Sequence, residues 1–334
     1  VLHVAGFDSA IPWAKLALPI GISFYTFETL TYVVDVYRRI HKPLRNFWDY
    51  QLYIILFPKL IAGPIIRYHE LADQIHGRFQ TEKAEDRLLG LYRFCLGLAK
   101  KVILANTLGE YADSVYGDAF DGSSALDAST LAASTAWLAA LTYTFQIYFD
   151  FSGYSDMAIG AAKVMGFDLM TNFNAPYTAK SIPDFWRRWH KSLGSWLRDY
   201  LYIPLGGNQK GSIGTGVMTA IILGFLYFIT GWVELWYTYG ILLVVYLILW
   251  QFWKAFRRFA VRDLNLLITM VVGGLWHGAA WTFVFWGVWH GFALVIHKVF
   301  QGFRLKKVDV PYIPASVSWL LTMLVVVVGW VFFR

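Results

Sequence analysis

Residues 263–298 read DLNLLITMVVGGLWHGAAWTFVFWGVWHGFALVIHK. Asp263 and Lys298 bound the stretch, and between them there is no acidic residue, lysine or arginine. A straight membrane span takes about 20 apolar residues. This stretch is too long for one span and carries glycines and His277 at its middle. It therefore reads as a hairpin of two apolar segments, roughly 264–276 and 280–299, whose tip LWHGAAW lies deep in or across a membrane. Both ends of the hairpin run into basic clusters, Lys254–Arg262 and Arg304–Lys307.

The rest of the chain agrees with that reading. Of its 334 residues 57% are hydrophobic and 15% charged, and sixteen are tryptophan. A soluble domain of ordinary composition carries about 25% charged residues. The composition predicts an all-α, polytopic transmembrane helical bundle with aromatic residues at the lipid–water interfaces. Further apolar segments are expected at roughly 14–33, 50–66, 88–108, 129–149, 152–167, 213–230, 238–252 and 316–333. Residues 50–66, QLYIILFPKLIAGPIIR, hold Pro58, Gly63 and Pro64 between basic flanks. Broken backbone survives at membrane depth only where protein or a wet cavity satisfies it, so this segment reads as re-entrant. Residues 1–334 are expected to form a single membrane-embedded domain. The chain opens on Val1 and stops inside LLTMLVVVVGWVFFR, and so reads as a piece excised from a longer one. A lone Cys95 excludes an internal disulfide framework and reads as core rather than as ligand or nucleophile.

Charge sets the expected topology. Bases cluster at Arg38–Arg45, Arg67–Lys101 and Lys163–Lys210, while Lys101 to Lys163 encloses none. Loops rich in Lys and Arg stay in the cytoplasm, which places the two base-free stretches, 102–162 and 211–253, outside. Orientation accounts for these basic loops better than nucleic-acid binding does.

A second stretch, FWRRWHKSLGSWLRDYLYIP at 185–204, is charged and tryptophan-rich. On a continuous helix of about 100° per residue, Trp186, Trp189, Leu193, Trp196, Leu197 and Tyr200 share one face. Arg187, Arg188, Lys191, Arg198, Asp184 and Asp199 share the other. This predicts an amphipathic interfacial helix, capped by Ser181, with Pro183 in its first turn and His190 on the margin between its faces.

His190 and His277 are the candidate chemical groups. Ionisable residues at membrane depth are costly and mark functional positions. His290 would lie on another face from His277 if the helix were continuous, and reads as packing or as bonded to a helix backbone. No HExxH, phosphate-binding loop or GxSxG is present, so metal, ATPase and serine-hydrolase chemistry find no footing. Asp150 and Asp156 read as polar fasteners or cavity lining.

FPKLIAGPIIRYHEL, YFDFSGYSDMAIGAAKVMGFDLMTNFNAPY, IPDFWRRWHKSLGSWLRDYLYIPLGGN and GGLWHGAAWTFVFWGVWHG resemble, in that order, the membrane-bound O-acyltransferase superfamily. The bacterial alginate O-acetyltransferase branch is the nearest match, and the D-alanyl transferases of teichoic acid are more distant. The resemblance implies a ring of membrane helices around a thinned core, set in the bacterial cytoplasmic (inner) membrane. It implies His277 and His190 as the catalytic pair. The acyl donor would be acetyl-CoA or another acyl carrier arriving from the cytoplasm, with no cofactor bound. The acceptor would be an extracytoplasmic polysaccharide or a periplasmic acetyltransferase. Arg187 and Arg198 are expected to draw an anionic donor. Trp186, Asn172, Trp276 and Asp150 complete the expected substrate-binding set. A transporter of acyl groups or polysaccharide is the competing class, since broken apolar segments would suit it too.

Overall fold

The computed structural model describes residues 21–61, 63–81, 83–117, 125–127, 130–207, 218, 220–222, 224, 225, 227, 231, 233–278, 280–305 and 313–334. Every regular element among them is helical. In chain order they are α1 (Ile22–Tyr37), α2 (Phe47–Ile55), α3 (Tyr68–Thr81), α4 (Ala84–Ala99), α5 (Asn106–Tyr116) and α6 (Ala133–Val164). Then come α7 (Ile182–Arg188), α8 (Lys191–Leu197), α9 (Glu234–Phe252), α10 (Lys254–His277), α11 (Trp281–Leu305) and α12 (Ala315–Phe333). Two of them, over Trp281–Gly302 and Ala315–Phe333, are long and apolar enough to cross a membrane. The expected segment at 213–230, and the early part of 14–33, fall largely outside the described residues.

The hairpin is present. α10 starts earlier than expected, at Lys254, and α11 returns from Trp281. Asp263 and Lys298, the two charges that bound the apolar stretch, meet at 3.4 Å where the hairpin closes. Placing the charges as a pair at one end lets everything between them stay apolar.

Residues 129–149 and 152–167 are one helix, not two. α6 runs 32 residues without a break, about 48 Å at 1.5 Å per residue. Asp150 and Asp156 do not interrupt it, because neighbouring bases neutralise them. Lys101 pairs with Asp150, and Asp156 receives Arg93 and Lys100, the latter at 2.6 Å. The fastener reading of both acids stands. α4 and α6 lie antiparallel at glycine contacts spaced seven residues apart on each helix: Gly97 meets Gly153 and Gly90 meets Gly160. A Cβ at any of the four would sit 2.5–2.8 Å from its partner's carbonyl oxygen. Small residues that admit such approach are how helices associate in lipid, where burying apolar surface gives no drive. Cys95, expected in the core, is exposed on the outer side of α4 beside exposed Leu91 and Leu96. In a membrane protein an apolar outer face is as suitable for a thiol as a core is.

The helix expected to be broken at 50–66 is broken. α2 lasts nine residues and gives way to a single turn over Phe57–Lys59. Lys59 is fully buried and pairs with Glu28 of α1, itself 1% exposed. The hydroxyl of Tyr53 donates within reach of the Glu28 and Ile66 carbonyls, at 3.2 and 3.1 Å, fixing the broken backbone. One α1 turn beyond Thr31, the buried Asp35 accepts from Tyr200 at 2.6 Å and meets His69 Nδ1 at 2.8 Å. Arg67, after the re-entrant turn, reaches both Glu70 and Asp199. Buried charge therefore staples α1, the broken segment and the end of α8 together.

Lys59→Met strands Glu28 without its partner. An uncompensated buried charge costs about 3–5 kcal/mol, so thermal unfolding in detergent is expected to show a marked fall in Tm. The double variant Glu28→Gln, Lys59→Met is expected to recover most of it. Gly97→Leu overpacks the α4–α6 crossing and is expected to cost about 1–3 kcal/mol on the same measurement, while Leu91→Ala on the outer face is expected to be nearly silent.

Candidate active site

The predicted helix at 185–200 is not continuous. Ser181 caps α7 as expected, accepting from the Asp184 amide at 3.3 Å. α7 then stops at Arg188, Trp189 is extended, and His190 adopts the left-handed conformation at φ 43°, ψ 55°. Histidine is among the few side chains enriched there, but the conformation still costs on the order of 1–3 kcal/mol unless its surroundings impose it.

Residues 172–174 impose it. The Asn174 amide bonds the Arg188 carbonyl at 3.0 Å, and the Lys191 amide bonds the Asn172 carbonyl at 2.9 Å. The Asn172 side-chain oxygen accepts from the Ser192 amide at 3.2 Å and its hydroxyl at 2.9 Å. A remote strand of chain thus does for the ends of α7 and α8 what a local capping residue ordinarily does.

The break carries His190 inside. It is 2% exposed rather than marginal, and its Nε2 finds no partner among the described residues. The ring meets Phe151 of α6 edge-on at 4.6 Å and Trp276 at 6.1 Å. Burial first, and then the nearby His277, push its pKa well below the ordinary imidazole value. His277 is the last residue of α10. It is only partly buried, and contacts Trp276 at 4.8 Å, Phe333 at 4.9 Å and Trp286 at 5.4 Å. Trp276 therefore touches both imidazoles. Phe27 of α1 stacks on its far side at 5.5 Å and on Trp196 at 4.0 Å.

Further unpartnered polar atoms accompany His190. The Asn172 Nδ2 is buried without an acceptor among the described residues, as are the hydroxyls of Ser152 and Ser155. Elsewhere buried helical hydroxyls bond the preceding turn: Thr144 gives its proton to the Ala140 carbonyl and Thr269 to that of Asn265, both at 2.7 Å. Ser152 and Ser155 do not, although they flank Phe151 by one residue and by one turn. Buried polar groups are nearly always bonded, so these atoms are exceptions that call for a partner.

The structure brings His190, His277, Trp276 and Asn172 together. Trp186 stands apart from His190, on Trp286 and His290 at 5.5 and 5.0 Å. Arg187 and Arg198 are largely exposed and paired with Asp184 and Asp199, and Asp150 is held by Lys101 on the α4–α6 face. Phe27, Phe151, Trp286 and Phe333 were not foreseen, since nothing in their local sequence tells them from ordinary core aromatics. Glu28 and Lys59 were missed as well, although each is an ionisable group inside an expected apolar segment, 14–33 and 50–66 respectively.

The profile of the MBOAT, membrane-bound O-acyltransferase family, matches residues 36–265. The "Probable alginate O-acetylase AlgI" of Pseudomonas syringae pv. tomato is 43% identical over 318 residues, covering 95% of this chain and 49% of that protein. The peptidoglycan O-acetyltransferase of Helicobacter pylori is 35% identical over 344 residues, 96% of this chain and 54% of its own length. The teichoic acid D-alanyltransferase of Bacillus subtilis is 28% identical over 185 residues, 55% of this chain and 45% of that one. The chain spans about half the length of the curated relatives it matches. With the family's profile matched across most of its length and helices of the expected kind around two histidines, the chain belongs to the membrane-bound O-acyltransferase family.

Proposed function

We propose that the protein is a multi-pass O-acetyltransferase of the bacterial cytoplasmic membrane. It passes an acetyl group from a cytoplasmic thioester donor, acetyl-CoA or another acyl carrier, to a hydroxyl on the outer side. The acceptor in this reading is an alginate-like exopolysaccharide, as one relative's name suggests, or a periplasmic acetyltransferase serving it; another relative's name points to peptidoglycan. The observation that carries the reading is the pairing of a closed and an open imidazole on Trp276. His190 is sealed with a free Nε2, while His277 keeps partial access.

Each imidazole has a role that suits its setting. His277, uncharged, accepts the proton of the acceptor hydroxyl as its oxygen bonds to the acetyl carbon. The carbon–sulfur bond then breaks, and the thiolate leaves and takes up that proton. His190 Nε2 and Asn172 Nδ2 are the polar atoms available to bond the carbonyl oxygen as charge gathers on it. Donors fixed in a water-poor site stabilise such charge more than water does. The Arg187 and Arg198 guanidiniums, both exposed and paired, contribute at most long-range attraction for an anionic donor. D-alanyl transfer to teichoic acid is the second reading, supported by the 28% relative.

Acetyl content of the secreted polymer, read by NMR, tests this. His277→Gln is expected to lower acetylation by about 10²–10⁴-fold at normal protein level, the usual reach of a general base. Retained acetylation would remove His277 from the chemistry. Polymer export is expected to continue in that strain; export lost together with acetylation would favour a transporter. Asn172→Ala is expected to reduce acetylation strongly, because it releases the break that aims His190, whereas Arg187→Ala is expected to stay within about twofold of the parent, as exposed ion pairs contribute little.

A further inference from the structure

His290 has no task in the reaction above, yet it is the most isolated polar side chain near it. It sits on α11, is fully buried, and neither ring nitrogen has a partner among the described residues. The expectation of a backbone hydrogen bond is not met. Gly329 of α12 packs against Nε2 so closely that any side chain there would collide, so the nitrogen left for a ligand is Nδ1. Trp186 of α7 stands edge-on at 5.0 Å and Trp286 at 5.2 Å, and these indoles lie 5.5 Å from each other. Both indole N–H groups are also buried without an acceptor. Trp286 in turn touches His277 at 5.4 Å.

With Nε2 covered, His290 Nδ1 and the two indole N–H groups are left unsatisfied among the described residues, a costly arrangement, since each buried group left unbonded costs about 1–3 kcal/mol. Their chemistry is selective. With its proton on the covered Nε2, the neutral imidazole offers Nδ1 as an acceptor, and each indole offers a donor only. A cation finds too few acceptors here. A hydroxyl oxygen fits, because it accepts from two donors and returns its own proton to an acceptor. We propose that His290, Trp186 and Trp286 form a binding site for a single hydroxyl group next to His277, belonging either to the acceptor sugar or to a water molecule. His290 is then a positioning residue for the oxygen that reacts or that competes to react. This rests on the acetyl-transfer reading for its consequence but not for its existence.

The test uses the full-length protein in lipid nanodiscs. A single-particle map that resolves the His290 ring is expected to show an oxygen-sized peak within hydrogen-bonding distance of it. Kinetics with acetyl-coenzyme A then identify the source. If the hydroxyl belongs to the sugar, His290→Phe raises KM for an unacetylated alginate oligosaccharide by about tenfold, the worth of one lost hydrogen bond, with a much smaller change in kcat. If it is water, hydrolysis of the donor without oligosaccharide falls by about tenfold instead, and KM holds. His290→Gln, which keeps a donor and an acceptor, is expected to restore part of either effect and covers the case in which the phenylalanine variant misfolds. A resolved ring with no peak, and glutamine and phenylalanine variants matching the parent in both assays, would overturn the site and leave His290 as packing. If the parent itself neither transfers nor hydrolyses acetyl groups with this donor and acceptor, that donor–acceptor pair is ruled out, and the map alone decides the site.

Discussion

A side-chain oxygen on Asn172 holds the centre of this protein in place. By accepting from Ser192 twice, it starts α8 where no local residue could, and it lets the chain pause at His190 in a conformation that most residues avoid. Without the pause, residues 182–202 would run on as one helix and His190 would lie at the edge between its wet and greasy faces. With it, Trp189 and His190, adjacent in sequence, are both buried. The energy of the strained residue is met by hydrogen bonds that a regular helix would have made with itself.

That constraint also explains what could and could not be read in advance. The hairpin at 264–299, the re-entrant turn at Pro58 and the cap at Ser181 were legible because each has a local cause: uninterrupted apolarity, a ring without an amide proton, a hydroxyl before a proline. The break at His190 has no such cause. Its partner lies near residue 172, and a helical wheel assumes that no such partner exists. The unity of α6 was hidden for a similar reason. Two aspartates look like an interruption until Arg93, Lys100 and Lys101 are seen beside them. The two candidate histidines were visible from their apolar settings and from the family motifs, but Phe27, Phe151, Trp286 and Phe333, which shape the space around them, were not.

Buried polar groups do two kinds of work here. Where Glu28 meets Lys59 and Asp35 meets Tyr200 and His69, buried polarity fastens a broken segment that cannot satisfy itself. At His190, Asn172 Nδ2, Ser152 and Ser155 the polar atoms are left open. Residue type alone does not separate the two regions, since both contain imidazoles and hydroxyls.

The two π-helical turns, Lys100–Ala105 and Arg198–Tyr202, give the fold one more property. Such a turn accommodates one residue more than a regular helix would in the same space. Lys100 and Lys101, neighbours in sequence, can thereby both reach carboxylates on α6, and Asp199 and Tyr200 can face Arg67 and Asp35 respectively. Each turn is a local splice: loss of a single residue would restore a regular helix with its flanks still in phase, but would take away the side chain whose place the bulge makes. The extra residue in these two places is what brings Lys100 and Lys101, and Asp199 and Tyr200, to separate partners.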